Sequence, residues 1–411
     1  MSAGRHGPRA PIRLGILMGT PTPTKVPLYR RLAREPSVDL TVVYASSEGL
    51  RTHDAGFGYG VKWDVDLESG YRASFLRRAD ISPGLGDHFW SVRDTSVVRA
   101  IARGRFEVVS LGGYNSLTYF LGAMTQRLSG RALLFREEQT LLDPRSLAKT
   151  LVKEAALRAL FRQGSALCTS RENRRWFEHY GVPQERLFSA SYAVDNETLQ
   201  ADARRLASDR ARLRHSFGIA DDGGPVILSV CRFVPKKQPL FLLEAFRRVR
   251  EQTRCTLLIA GSGELEAQMR EKVERDAIPD VKFAGFVNRS RIAEAYVAAD
   301  VFALLSKAHE TFGLVVLEAM NFGLPVVVSE KVGCAPDVVA NGLNGYVVSH
   351  TDPDAAARAL CELVADAPRR HAMGQASLKR LESWSLDDEV AGFLHAIATT
   401  VGPARWSLAK G

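Results

Sequence analysis

His309-Glu310-Thr311-Phe312-Gly313-Leu314-Val315-Val316-Leu317-Glu318-Ala319-Met320 is the stretch on which the rest of this chain turns. Just before it, Asp300-Val301-Phe302-Ala303-Leu304-Leu305-Ser306 has the composition of a short strand buried on both faces. After Gly313, residues 314–321 have the length and residue types of a helix, and Gly323 and Pro325 supply its stop signals. This arrangement sets Glu310 in a strand-to-helix loop and Glu318 about two turns into the helix. The first amides of such a helix point back at the carboxyl end of the strand, where they favour an anion. Two carboxylates beside an anion site suit a ligand that carries both phosphates and hydroxyls, as a nucleotide sugar does.

Working outward, strand-like and helix-like runs alternate through the chain, the pattern of an α/β protein built on parallel sheets. In the first half, strand patterns fall at 12–19, 39–46, 106–111, 132–136, 166–170 and 187–194, with helical patterns between most of them. Residues 48–87 break the rhythm: they are rich in Gly, Asp and aromatics, too long for an ordinary connection, and read as a substrate loop or as short irregular strands. The Arg-rich run that ends in Asp221-Asp222-Gly223-Gly224 reads as a domain boundary. Alternation then restarts with strand patterns at 226–233, 255–261, 281–286 and 325–329. Two doubly wound units with a ligand cleft between them are expected: a first domain over 1–200, a linker over 201–224 and a second domain over 225–383.

A length of 411 residues is ample for two hydrophobic cores, and the 45% hydrophobic, 25% charged composition is that of an ordinary globular protein. No apolar run reaches the ~18 residues needed to span a bilayer. The basic start, residues 1–10, reads as a tail entering a first strand rather than as a signal peptide. Five scattered cysteines without a C-x-x-C pair read as reduced core residues of a cytoplasmic protein. The formal charge of +9 fits a basic surface or an anionic partner. Nucleic acid is not expected, because no aromatic-rich basic module or zinc spacing accompanies that charge. The helical pattern at 146–162 carries Lys149, Lys153, Arg158 and Arg162 among apolar residues, with Arg145 just before it. That arrangement suits peripheral contact with an anionic membrane face as well as an ordinary solvated surface.

Other constellations in the second half fit the same ligand. Cys231-Arg232-Phe233-Val234-Pro235-Lys236-Lys237 follows a strand and sets Arg232 and Lys237 where a diphosphate needs compensating charge. Gly261-Ser262-Gly263 permits close backbone approach after the next strand. Phe283-Ala284-Gly285-Phe286-Val287 ends a third strand and leaves room for a flat base.

In their order and spacing these motifs closely resemble the nucleotide-sugar-binding domain of glycosyltransferase family 4, the retaining group of the GT-B fold. The resemblance is specific over residues 226–352. It implies two Rossmann-like domains facing across a cleft, with a C-terminal segment, 384–411, returning to the first domain. It implies transfer of a sugar from a nucleotide-sugar donor to an acceptor hydroxyl with retention of configuration, without a cofactor or metal. In the family's pattern Arg232 and Lys237 hold the diphosphate, Glu310 contacts hydroxyls of the donor sugar, and Glu318 contacts the ribose. Amides of Phe312, Gly313 and Leu314, next to Thr311, cap the phosphates, and Phe286 and Val287 lie near the base. Asp64-Val65-Asp66 formally matches a D-x-D metal motif but lies in the irregular region, away from the donor motifs.

The first half departs from that family. Only Gly19, in Met18-Gly19-Thr20-Pro21-Thr22-Pro23, is available for close approach after the first strand, and the 106–111 strand ends without the histidine that many relatives carry. Glu137 and Glu138, at the end of the 132–136 strand, and His88 are the candidates for acceptor contact or proton handling. The acceptor is a hydroxyl compound, lipid-linked or anionic among the options, in glycan, glycolipid or specialised-metabolite biosynthesis. The competing readings are a nucleotide-sugar epimerase and a non-catalytic protein of the same fold docked at an anionic surface.

Overall fold

The structure is a computed structural model that describes residues 10–52, 60–81, 89–142, 150–220, 224–308 and 310–410. His88 lies outside the described residues, as do Arg145 and Lys149 of the basic helical pattern.

Seven strands form the first sheet: β1 (Ile12–Met18), β2 (Val38–Tyr44), β3 (Arg72–Phe75), β4 (Val108–Leu111), β5 (Ala132–Phe135), β6 (Ser165–Cys168) and β7 (Leu187–Ser189). Six form the second: β8 (Val226–Val230), β9 (Thr256–Ala260), β10 (Val281–Gly285), β11 (Val301–Leu304), β12 (Val326–Ser329) and β13 (Gly345–Val348). Their orders are β3-β2-β1-β4-β5-β6-β7 and β10-β9-β8-β11-β12-β13, parallel throughout. Each order reverses once, between β1 and β4 and between β8 and β11. In an open parallel sheet, ligands bind beyond the carboxyl ends of the strands at such a reversal. The 300–306 run is the central strand β11 of the second sheet, and all four of its residues are buried because helices cover both faces.

Two stretches differ from the sequence reading. Residues 201–224 are not an open linker: the helices Asn196–Leu206 and Arg210–Ser216 occupy most of that region and pack on the second domain. The charge concealed a stripe, since Leu199, Leu206 and Leu213 recur every seventh residue and are all buried. Arg210 and Arg214 both pair with Asp300, which anchors the second of these helices at the start of β11. The irregular 48–87 region holds the edge strand β3, and the expected strand at 187–194 is shortened to the three residues of β7.

The helix Leu386–Val401 crosses back to the first domain, opened by a capping box between Ser385 and Asp388, and packs on β6, β7 and the helix Val26–Leu32. Its Glu389 ion-pairs with Arg136 at the end of β5, with the two side chains 2% and 6% exposed. Removing one member of a pair this deep leaves an uncompensated charge, which typically costs roughly 3–5 kcal/mol. Glu389→Gln is therefore expected to lower the urea-unfolding stability by about 3 kcal/mol. A loss under about 0.5 kcal/mol would show that the pair does not hold the returning helix.

Candidate active site

The loops at the carboxyl ends of β8 and β9 are locked together backbone to backbone. Phe233 N–H donates to the Ser262 carbonyl at 2.9 Å, and Leu265 N–H to that of Phe233 at 3.0 Å. A Cβ on Gly261 would stand 1.9 Å from the Cys231 carbonyl oxygen, and Gly261 and Gly263 have φ values of +148° and +154°. The close approach read at these glycines is thus to the neighbouring loop, and it fixes where Arg232 sits. Lys237 ends a single turn, Pro235–Lys237, tied to the exit of β11 by the Lys307 N–H donating to the Lys236 carbonyl at 2.9 Å.

Glu310 lies in the β11-to-helix loop. Lys237 Nζ pairs with its Oε2, and the Ser306 hydroxyl donates to the same oxygen at 3.1 Å. The loop is clamped against residues 332–334: Gly333 N–H donates to the Glu310 carbonyl at 2.9 Å and Cys334 N–H to that of Phe312 at 2.8 Å. Gly313, at φ +93°, turns the chain into the helix Leu314–Asn321, which Gly323 (φ +68°) then closes. Glu318, 3% exposed, pairs with Arg289 and accepts the Tyr296 hydroxyl at 2.9 Å.

Burial pulls the Lys237 ammonium down to about 8, with Cys231 opposing it and Lys236 and Arg232 adding to the effect. If the charged ammonium is needed, kcat/KM should fall above about pH 8 and Lys237→Arg should hold its activity past about pH 10. Unchanged alkaline limbs in the two proteins would separate Lys237 from the activity. The sign for stability is opposite. Between about 8 and the usual 10.5 the unfolded chain binds more protons at this residue, so its contribution to folding improves as pH rises.

One cavity of about 400 Å³ collects most of the residues expected from the sequence: Arg232, Lys237, Gly261, Phe286, Val287, Glu310, Gly313, Leu314 and Glu318. That volume suits a nucleotide-sized ligand. Gly263, Thr311, Phe312 and Gly19 do not line it. The Phe312 ring turns away and packs on Tyr192 and Trp384, at the two crossings between the domains. The Gly19 carbonyl accepts the Ser46 N–H at 2.7 Å, and Thr22, Pro23 and Thr24 face the cavity in its place.

Glu137 and Glu138 do not line the cavity either. Glu138, its side chain 42% exposed, pairs with Lys25 and accepts from the Tyr192 hydroxyl; desolvation works against its charge, but Lys25 holds the carboxyl below its usual value. Burial pushes the Glu137 carboxyl well above the usual range, the charge of Glu138 adding to it, and its Oε1 has no hydrogen-bond partner among the described residues. Asp64 and Asp66 serve different ends: Asp64 accepts from Ser290 across the cleft, and Asp66 closes a turn with Ser69 and pairs with Arg30. Arg289, Tyr296, Trp63 and Thr22–Thr24 are cavity or partner residues that no motif announced. Arg289 alone had a local signal, a cation four residues past the end of β10.

Two parallel sheets of this order, each covered by helices, define a protein of the GT-B fold. Residues 210–380 match the family described as glycosyl transferases group 1, and the second domain of this chain belongs to it. The chain is 32% identical over 212 residues, 49% of its length and 54% of the relative's, to a GDP-mannose-dependent α-(1-6)-phosphatidylinositol monomannoside mannosyltransferase of Mycolicibacterium smegmatis. It is 30% identical over 327 residues to a D-inositol 3-phosphate glycosyltransferase of Geodermatophilus obscurus, covering 74% of this chain and 66% of that one. In the first of these comparisons the match spans about half the length of the relative. Among solved structures, Anabaena HepE in complex with UDP superimposes with a TM-score of 0.70 at 16% identity, over 94% of this chain and 100% of that one. At that identity the likeness establishes the fold.

Proposed function

We propose that the protein is a retaining, family 4 glycosyltransferase that moves a sugar from a nucleotide-sugar donor to an acceptor hydroxyl. The observation that carries this reading is the convergence of Arg232, Lys237, Glu310 and Glu318 on one cavity at the start of the Leu314–Asn321 helix. In this reading Glu318 takes the ribose hydroxyls, with Arg289 and Tyr296 holding it in place. The diphosphate lies against Arg232, Lys237 and the first amides of the helix. As the bond from the sugar to the diphosphate breaks, negative charge grows on the leaving oxygen, and these donors stabilise it where a metal ion would otherwise act. Glu310 binds hydroxyls of the donor sugar and keeps the Lys237 ammonium in position.

Both cavity carboxylates carry a cation partner, Glu310 with Lys237 and Glu318 with Arg289, which disfavours either as a base. That supports a mechanism in which the leaving phosphate oxygen takes the proton of the acceptor hydroxyl while the acceptor attacks from the same face. Glu137 is buried and does not line the cavity, so it is not assigned to proton abstraction from the acceptor.

The names of the relatives favour an acceptor bearing phosphorylated inositol, free or lipid-linked. A basic rim on the first domain fits such an anion: Arg77, Arg78 and Arg99 line a second cavity there. Exposed Phe89 and Trp90 lie in the segment leading to Asp94 of that cavity, and suit peripheral contact with a membrane face. No helix among the described residues is long and apolar enough to cross a membrane. The five cysteines are unpaired, which fits a reducing, cytoplasmic setting. The test of retention is proton NMR of the product formed from an α-linked GDP- or UDP-sugar. An α-linked product is expected, and a β-linked product would refute retention.

A further inference from the structure

The irregular region of the first domain does not stay in the first domain. Val61 and Leu67 are buried at either end of a short segment, and Arg30 ties its base to the helix Val26–Leu32 by donating to the carbonyls of Asp66 at 2.9 Å and Ser69 at 3.0 Å. Between those anchors the segment reaches across the cleft. Asn288 Nδ2 donates to the Lys62 carbonyl at 2.7 Å. Ser290 donates its N–H to Asp64 Oδ1 at 3.1 Å and its hydroxyl to Asp64 Oδ2. Trp63, between these two contacts, sets its indole 6.0 Å from the Phe286 ring at an interplanar angle of 55°, and lines the donor cavity.

The cavity is chemically polarised. Arg232 and Lys237 line it from the loop after β8, while Trp63 joins Phe286 and Val287 beyond the end of β10, where the lining cation Arg289 is paired with Glu318. A nucleoside diphosphate lying in it would place its charges by Arg232 and Lys237 and its flat base by Trp63 and Phe286. Aromatic rings are sequence-tolerant platforms for such bases.

We propose that Trp63 is a donor-binding residue supplied by the first domain, whose indole packs on the nucleoside, and that the Lys62 and Asp64 contacts with residues 288–290 hold it there. The nucleoside end of the donor site is then complete only when the two domains are latched, and the donor enters and leaves when the latch parts. This assignment rests on the nucleotide-sugar reading above.

The test is calorimetric titration of GDP, UDP and inorganic pyrophosphate into the wild type, Trp63→Ala, Trp63→Phe and Asp64→Ala, with circular dichroism confirming that each variant is folded. Trp63→Ala is expected to weaken the preferred nucleoside diphosphate about tenfold or more. Pyrophosphate, which lacks a base, should bind it as it binds the wild type, and Trp63→Phe should recover most of the loss. Asp64 is exposed, so its substitution spares the core. Asp64→Ala should speed nucleotide dissociation several-fold in stopped-flow measurements. Equal nucleotide affinity in the wild type and Trp63→Ala, or an equal loss for pyrophosphate, would overturn the role of Trp63 and leave the donor reading standing. Unchanged dissociation in Asp64→Ala would overturn the latch. Failure of the wild type to bind either nucleotide would defeat the donor reading, and this assignment with it.

Discussion

Lys237→Ala is expected to lower kcat/KM by about 10³-fold, or about 4 kcal/mol of transition-state stabilisation. The side chain is 15% exposed and meets Glu310 on the cavity wall, so its charge acts where water screens it weakly. In the proposed reading the substitution removes a cation from the point where the leaving diphosphate gains charge. It also strands the Glu310 carboxylate with only Ser306 of its two side-chain partners. Lys237→Arg keeps the charge on a longer, planar group and should recover part of the loss. Steady-state kinetics on a folded variant decide the matter. A loss under tenfold would show that the diphosphate is neutralised elsewhere.

Glu310→Gln should reduce kcat by about 10²-fold or more with a smaller change in donor KM. The amide keeps the shape of the carboxylate and can still accept from Ser306, so the loop clamped by Gly333 and Cys334 should survive. What disappears is the charge that pairs with Lys237 and that, in the proposed reading, orients the donor hydroxyls. A second readout follows from that coupling. Without its carboxylate partner the ammonium is harder to keep charged, so the alkaline limb should move to lower pH than in the wild type. A variant with wild-type turnover and an unshifted limb would remove Glu310 from the site.

The parts of the site legible in sequence are those written locally. Strand, glycine and helix follow one another from Val301 to Asn321, so the positions of Glu310 and Glu318 could be read without any long-range knowledge. Arg232 and Lys237 were legible for the same reason, as cations beyond a strand end. The parallel α/β architecture was legible because buried parallel strands are apolar on both faces, as β11 and β12 are.

The remainder depends on contacts between distant segments. Trp63 reaches Phe286 across more than half the chain, and nothing near residue 63 signals that reach. Tyr296 supports Glu318 from a neighbouring helix, where a tyrosine in an apolar run reads simply as core. Glu138 carries a charge at a strand end, as a catalytic group would, yet Lys25 and Tyr192 take up that charge from two other segments. The helices within 201–224 were concealed by composition, because arginines outnumber the few leucines that pack. Gly261 and Gly263 were legible as sites of close approach, but the surface they approach is the adjoining loop.

We propose that this cavity binds a nucleotide sugar and breaks its bond to the diphosphate. The most direct test is nucleoside diphosphate release from a panel of GDP- and UDP-sugars, with phosphorylated inositols and lipid-linked inositols as acceptors, comparing the wild type with Glu310→Gln. Acceptor-dependent release from at least one donor is expected of the wild type, cut by about 10²-fold or more in the variant. Absence of release, together with absence of binding to any nucleotide sugar, would contradict it. Conversion of the donor to an epimer without acceptor would instead establish the epimerase reading.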